Sequence, residues 1–272
     1  MKSLFLTAAA AAALLMGSAA QAGPFILAGT DSEDHGSFNG TVNTGGWLYM
    51  QKALENLDGG VTTGFKKVTI LGSTSTALTA ATSAFNHSAL VAAGWTLQTI
   101  TTGSFGSFFS AGGNLGTGIL MMDSGNNVAG GVDDSLLLPH ATAIDNFLGA
   151  GGALFSQANG YSWLSALVAG VTFTDVGTSG DTSALAMTAA GTAAFPGLTN
   201  TDLSAGPWHG YFSNIGALTD LADSASGGNA GKSVIIGGAT GAITTQVPEP
   251  ASLALVGLAL AAAAAAVKRK RA

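Results

Sequence analysis

The chain contains no cysteine in its 272 residues. This absence excludes disulfide bonds, a thiol nucleophile and thiolate ligands for a metal ion. A domain without such cross-links depends on its hydrophobic core for stability. The chain is long enough to bury that core in one large domain.

Charge is also scarce, because charged residues make up 9% of the chain. The two terminal segments described below contain five of the nine Lys and Arg residues and one of the 15 acidic residues. The body between them has four cations and 14 acidic residues, a formal charge of −10. It lacks the cations that neutralise phosphates, so we expect no nucleic-acid binding. Such a body attracts cations instead.

The N-terminus has the pattern of a secretory signal peptide. Lys2 precedes an apolar run over residues 4–16, and small residues follow, ending in Ala20-Gln21-Ala22. A charged start, a short apolar run and an A-x-A site are what signal peptidase requires. We therefore predict a signal peptide over residues 1–22, with cleavage between Ala22 and Gly23.

The C-terminus carries a second addressing pattern, beginning with Val247-Pro248-Glu249-Pro250. Residues 251–267 are apolar and uncharged, at the lower limit for a transmembrane helix, and residues 268–271 are all Lys or Arg. Cations in that place stay on the cytoplasmic side of a membrane. The alternative is an ordinary single-span anchor with a coincidental proline pair.

This tail resembles the PEP-CTERM sorting signal, whose Pro-Glu-Pro motif matches Pro248, Glu249 and Pro250. The resemblance implies processing by exosortase, a membrane enzyme of Gram-negative bacteria that make exopolysaccharide. It also implies a cell-envelope or biofilm-matrix destination, either anchored through the helix or released after processing. The predicted organisation is thus residues 1–22, an extracytoplasmic domain over 23–246, and a sorting tail over 247–272.

The body alternates apolar strands with amphipathic helices, a pattern typical of an α/β domain. Strands are predicted over residues 25–29, 67–71, 95–100, 118–122 and 153–155, and more weakly over 171–173, 184–187, 217–221 and 233–238. Helices are predicted over residues 46–57, 77–93 and 135–148, and more weakly over 161–168. This order predicts a mostly parallel sheet with helices on both faces.

The body resembles the class I glutamine amidotransferase-like fold and its trehalose-utilisation-type relatives, which are flavodoxin-like. Three segments carry the resemblance: residues 26–35, residues 144–155 with their double glycine, and the His209-containing segment over 207–212. In that family the catalytic cysteine follows the strand that here ends near Phe155. Because this chain has no cysteine, thiol-based amidotransferase chemistry is excluded.

Ser156 is the nearest possible replacement for that cysteine, with His209 as its base. However, Ser156 lacks the Gly-x-Ser-x-Gly frame that exposes a nucleophile at an elbow. The alternative is that Ser156, Gln157 and Asn159 close a strand-to-helix turn. The sequence therefore gives no strong catalytic candidate.

Ligands of parallel α/β sheets bind beyond the carboxyl ends of the strands. The polar residues expected at that edge are Asp31, Asp34, His35, Asp123, Asn126, Gln157 and Asn159. Their oxygen atoms are suited to a hard divalent cation or to a sugar. The alternative is a solvated loop with Asx turns and a helix cap. We expect the other two histidines, His87 and His140, to be structural or on the surface.

The leading functional hypothesis is an exported envelope protein whose body is a non-catalytic domain with a binding or structural role. Its rival is an extracellular hydrolase acting on a sugar or amide through Asp31, Asp34, His35 and His209. A third hypothesis is a matrix component that binds polysaccharide or divalent cations. Apart from a divalent cation, no cofactor is predicted.

Overall fold

A computed structural model of the protein describes residues 24–110, 115–125, 128–177 and 179–238. The predicted signal peptide, its cleavage site at Ala22 and Gly23, and the sorting tail lie outside these residues. So does Asn126. None of the helices among the described residues is long and apolar enough to cross a membrane.

Twelve strands and nine α-helices are found in the described part of the chain. The strands are β1 (Phe25–Ala28), β2 (Gly36–Phe38), β3 (Asn43–Gly45), β4 (Lys67–Leu71), β5 (Thr96–Ile100), β6 (Ile119–Asp123), β7 (Ala153–Gln157), β8 (Thr172–Asp175), β9 (Leu185–Met187), β10 (Gly210–Ser213), β11 (Thr219–Ser224) and β12 (Ser233–Gly238). The helices are α1 (Gly46–Asp58), α2 (Ser75–Asn86), α3 (Ala89–Ala92), α4 (Phe105–Phe109), α5 (Asp134–Leu137), α6 (Ala141–Gly149), α7 (Leu164–Leu167), α8 (Ala189–Ala194) and α9 (Asn200–Leu203).

Ten of these strands form one mixed sheet, and β2 and β3 form a separate hairpin. The main order is β5-β4-β6-β7-β1-β12-β10-β8, with β11 pairing β12 and β9. From β5 to β1 every pairing is parallel, whereas every pairing made by β8 to β12 is antiparallel. The sheet thus joins a parallel half to an antiparallel half along β1 and β12.

Both faces of the sheet are covered, because alternate residues of the central strands enter two different cores. Ile26 and Ala28 pack on the side of α1 and α2. Phe25 and Leu27 pack on the opposite side, with the buried residues of α6. The predicted α/β class with helices on both faces is confirmed.

The sheet is less parallel than expected, and its order differs from the flavodoxin-like arrangement. In that arrangement the first strand lies inside the parallel sheet, between the second and third. Here β1 is the last strand of the parallel half. It pairs with β7 in parallel on one side and with β12 in antiparallel direction on the other. The weak strand patterns of the last third of the chain did not reveal this direction.

Two predicted helices are interrupted. The helix predicted over 77–93 is divided into α2 and α3, because the Ser88 hydroxyl donates to Phe85 O at 2.7 Å and competes with the helical hydrogen bonds. The helix predicted over 135–148 contains a 3₁₀ turn at Leu138–His140, where Pro139 has no backbone N–H. Asp133 caps its beginning by accepting from Ser135 N at 2.9 Å.

The histidines at these two breaks have structural contacts. His87 stacks on Phe38 of the hairpin, with ring centroids 4.0 Å apart. His140 stacks on Phe109, with centroids 4.6 Å apart, and burial lowers its pKa. Neither imidazole lies on the segments that carry the polar residues described next.

Candidate functional site

The polar residues predicted at the carboxyl edge follow three neighbouring strands, β1, β7 and β6. Asp31, Asp34 and His35 lie in the loop after β1. Asp123 and Gln157 are the last residues of β6 and β7, and they face each other in the parallel register. Parallel strands deliver their carboxyl ends to one edge, so residues far apart in sequence meet here.

Asp31, Asp34 and His35 form the tightest polar cluster. His35 Nε2 lies 3.0 Å from Asp34 Oδ1 and 3.8 Å from Asp31 Oδ2. One ligand atom from each of the three residues lies within 4.8 Å of the others. The side chains of Asp34 and His35 remain about one-third exposed, at 32% and 30%, so the cluster is accessible from solvent.

His209 joins the cluster from the segment that enters β10. Its Nε2 lies 3.0 Å from Asp31 Oδ2, and its Nδ1 lies 3.1 Å from the carbonyl oxygen of Gly177. A carboxylate and a carbonyl accept hydrogen bonds, so these two contacts favour the form of the imidazole that donates from both nitrogens, which is the protonated form. The hydrogen bond to Asp31 is the main cause of the raised pKa of His209.

Burial alone would raise the pKa of Asp31, but hydrogen bonds from His209 and Glu33 lower it overall. Asp31 is therefore the anionic partner of the His209 imidazolium. In contrast, burial and the nearby Asp31 charge raise the pKa of Asp34. Since both nitrogens of His209 are engaged, the ring has no lone pair with which to accept a proton from a substrate.

Glu33 is the functional candidate that sequence reasoning omitted. Its side chain is fully buried, and its Oε2 accepts a hydrogen bond from Gln157 Nε2 at 2.8 Å. Burial, followed by the charge of Asp123, raises the pKa of Glu33 well above its ordinary value. No local pattern indicated this, because Glu33 lies in the most polar stretch of the body. Glu33 is buried because its side chain lies against Gln157 and Asp123, at the ends of β7 and β6.

A shallow depression of about 10 Å³, room for about one water molecule, opens beside the cluster. Its lining residues come from the loop after β1, the start of α1, the end of α9 and the segment after α9, and they are Thr30, Asp31, Ser32, His35, Gly46, Leu203, Ala205, Gly206 and Pro207. Gly206 lies against the His35 ring, since a Cβ there would be 2.0 Å from His35 Cγ. Gly46 lies equally close to the loop, and its Cβ would be 2.2 Å from Ser32 O. Two glycines thus fix the positions of His35 and the loop.

The stretch that resembles a nucleophile elbow carries no accessible hydroxyl. Ser156 is fully buried within β7. The residue with the left-handed conformation is Ala158, with φ of 81°, and its amide donates to Thr30 O at 2.8 Å. Asn159 packs against Gly125, where a Cβ would lie 2.1 Å from Asn159 Oδ1. Ser156 and Asn159 therefore do not join the hydrogen-bonded cluster around Asp31.

Residues 246–270 match the PEP-CTERM protein-sorting motif. This match confirms the resemblance of the tail, and it indicates an exported, envelope-sorted protein that exosortase processes. Comparison of the chain with curated proteins and with solved structures gives no match. The amidotransferase-like resemblance of the body has no support from these comparisons.

Proposed function

We propose that the protein is delivered to the cell envelope and acts there by binding, without turning over a substrate. The PEP-CTERM match supports the destination. Signal peptidase and exosortase are the expected processing partners. Anchoring through the C-terminal helix or release after processing are both compatible with such a tail.

The main support for a non-catalytic role is the state of His209. Its Nδ1 and Nε2 donate to Gly177 and Asp31, which leaves no lone pair for general-base chemistry. A Ser156–His209 pair would require one of these hydrogen bonds to break and a buried hydroxyl to become accessible. The chain also has no cysteine, and the left-handed residue after β7 is Ala158, whose methyl group is chemically inert. If the amidotransferase-like resemblance is valid, the nucleophile's place is occupied by this alanine.

The proposed binding site is the depression beside Asp31, Asp34 and His35. None of its lining residues is Lys or Arg, the carboxyl group of Asp31 lines it, and that of Asp34 lies 3.0 Å from the His35 ring. An anionic ligand would be repelled from such a surface unless a cation lay between them. The site therefore suits a cation, or a neutral ligand that donates hydrogen bonds, such as a sugar hydroxyl.

The test compares the protein purified from the envelope with a His209→Asn variant in a panel of esters, amides and glycosides. We expect no turnover above that of a buffer blank for either protein. Hydrolysis by the wild type that disappears in His209→Asn would establish the hydrolase hypothesis instead.

A second experiment tests the sorting tail: it replaces Pro248 and Pro250 with Ala and follows the protein in envelope fractions. We expect the tail to remain unprocessed in this variant. Unchanged processing would contradict the sorting role.

A further inference from the structure

The cluster after β1 has the donor atoms and spacing of a metal site. We infer that Asp31, Asp34 and His35 bind one divalent transition-metal cation of the Zn²⁺ class, an assignment that rests on the proposed binding function. The three ligands are a carboxylate oxygen of Asp31, Asp34 Oδ1 and His35 Nε2. All three come from one five-residue loop.

The distances between these donors agree with a shared metal ion. Two donors that each lie 2.0–2.2 Å from Zn²⁺, at tetrahedral or octahedral angles, are separated by about 2.8–3.6 Å. His35 Nε2 lies 3.0 Å from Asp34 Oδ1, within that range. It lies 3.8 Å from Asp31 Oδ2, a few tenths of an ångström beyond that range, and all three donor atoms lie within 4.8 Å of one another, so the metal ion would draw the donors together.

A second observation points to a ligand at the same place. Thr30 is 3% exposed, and its hydroxyl Oγ1 is buried without a hydrogen-bond partner among the described residues. Thr30 lines the depression together with Asp31 and His35. Buried hydroxyls are normally paired, and an ion or its water bound in the depression would supply the partner that Thr30 Oγ1 lacks.

The imidazole decides the class of metal. Ca²⁺ and Mg²⁺ are bound by oxygen atoms, whereas imidazole nitrogen suits Zn²⁺ and its transition-metal neighbours. Three protein ligands also leave at least one coordination position open toward the depression. That position is available to water or to an oxygen atom of a further ligand.

The surroundings hold the ligands in place before the ion arrives. His209 donates to Asp31 Oδ2, so the carboxylate is oriented by a neighbour, as ligating carboxylates generally are. Gly206 packs on the His35 ring and leaves no room for a larger residue. His209 and Gly206 are therefore positioning residues.

The experiment titrates the untagged, chelator-treated full-length protein with Zn²⁺, Mn²⁺, Ca²⁺ and Mg²⁺ in a calorimeter. We expect one Zn²⁺ per chain, at least tenfold tighter than Ca²⁺. Asp34→Asn and His35→Gln should each weaken Zn²⁺ binding by tenfold or more. His87→Gln serves as the matched control, since His87 lies against Phe38 on the hairpin and not in the cluster. It should bind Zn²⁺ as the wild type does.

Co²⁺ provides a spectroscopic readout that does not depend on activity. Its visible absorption should change when His35→Gln removes the nitrogen ligand and should stay unchanged in His87→Gln. Zn²⁺ affinity that is equal in the wild type, Asp34→Asn and His35→Gln overturns the assignment, as does Ca²⁺ binding as tight as Zn²⁺. Such a result does not change the outcome of the turnover assay. The metal site and the non-catalytic role can therefore be refuted independently.

Discussion

Strand β11 contains a pair of carboxyl groups that should make stability depend on pH. Burial and the neighbouring Asp223 raise the pKa of Asp220 from its ordinary value of 3.8 to about 7. Asp220 Oδ2 also accepts a hydrogen bond from Ser233 Oγ of β12 at 2.8 Å. Thr188 donates to the backbone carbonyls of Asp220 and Leu221, and Lys232 lies over the Tyr211 ring. Neither of these two side chains therefore neutralises the pair of carboxyl groups.

The sign of the effect follows from the direction of the pKa shift. Between about pH 4 and pH 7 the folded protein keeps the Asp220 proton and the unfolded chain does not, so the free energy of unfolding falls as the pH rises. A shift of about three pH units corresponds to about 4 kcal/mol. Because Asp220 is only half-buried, solvent screening reduces this to about 2 kcal/mol.

The perturbation is Asp220→Asn, which keeps an acceptor for Ser233 and gains an amide donor for Asp223. At pH 3, below the ordinary pKa of 3.8, both the folded and the unfolded wild type keep the Asp220 proton, so we expect the variant and the wild type to be nearly equal in stability. At pH 8 the variant should be more stable by about 2 kcal/mol, or about 4–8 °C in melting temperature for a domain of this size.

The assay is urea unfolding followed by tryptophan fluorescence, since Trp163 and Trp208 are fully buried. Other groups with shifted pKa values, such as Glu33 and His209, titrate in both proteins and cancel from the difference. Asp145→Asn on the exposed side of α6 is the control for loss of one charge. If the difference in stability between Asp220→Asn and the wild type is the same at pH 3 and pH 8, the explanation from the raised pKa of Asp220 is wrong.

Two further predictions concern close contacts that support the carboxyl edge. Gly29→Ala should reduce stability by about 3 kcal/mol or abolish soluble expression, because its Cβ would lie 1.8 Å from Gly210 O. Gly228→Ala, whose Cβ meets no atom within 4 Å, should stay within about 0.5 kcal/mol of the wild type in the same melting assay. Ser124→Ala should cost about 1–3 kcal/mol in urea unfolding, since the buried Trp163 indole N–H donates to Ser124 Oγ at 2.9 Å and would lose its acceptor. A melting curve identical to that of the wild type would show that the indole finds another partner.

Several elements of both halves of the sheet were predictable from local patterns. The strands predicted over 67–71 and 233–238 have the observed bounds, and the helix predicted over 46–57 ends one residue later, at Asp58. These elements have a clear apolar period, bounded by glycine or polar turns. Strand β10 was not predicted, because its four residues, Gly210–Ser213, alternate burial over too short a length to give a signal.

The sequence predicted where the candidate site lies in the fold, but the predicted set of site residues omitted Glu33. The carboxyl-edge rule predicted one group of polar residues, and the structure has Asp31, Asp34 and His35 in the loop after β1 and has Asp123 and Gln157 at the ends of β6 and β7. The rule could not show that Glu33 is buried. Nor could it show that both nitrogens of His209 are engaged, because Asp31 and His209 are 178 residues apart in the sequence. The rule predicts at which edge of the sheet a residue lies. Which hydrogen bonds it makes there depends on how the antiparallel half, which carries His209, packs against that edge.

The sequence by itself determined the sorting tail and the α/β class. Processing enzymes recognise linear motifs, and strand and helix periods are local properties of neighbouring residues. The tertiary structure alone decided the strand order, the burial of Glu33 and the contacts of His209. The strand order depends on β12 pairing with β1, and the burial of Glu33 depends on the ends of β6 and β7. The contacts of His209 depend on the segment before β10 reaching Asp31 and Gly177. Contacts between such distant segments are set by the packing of the whole sheet.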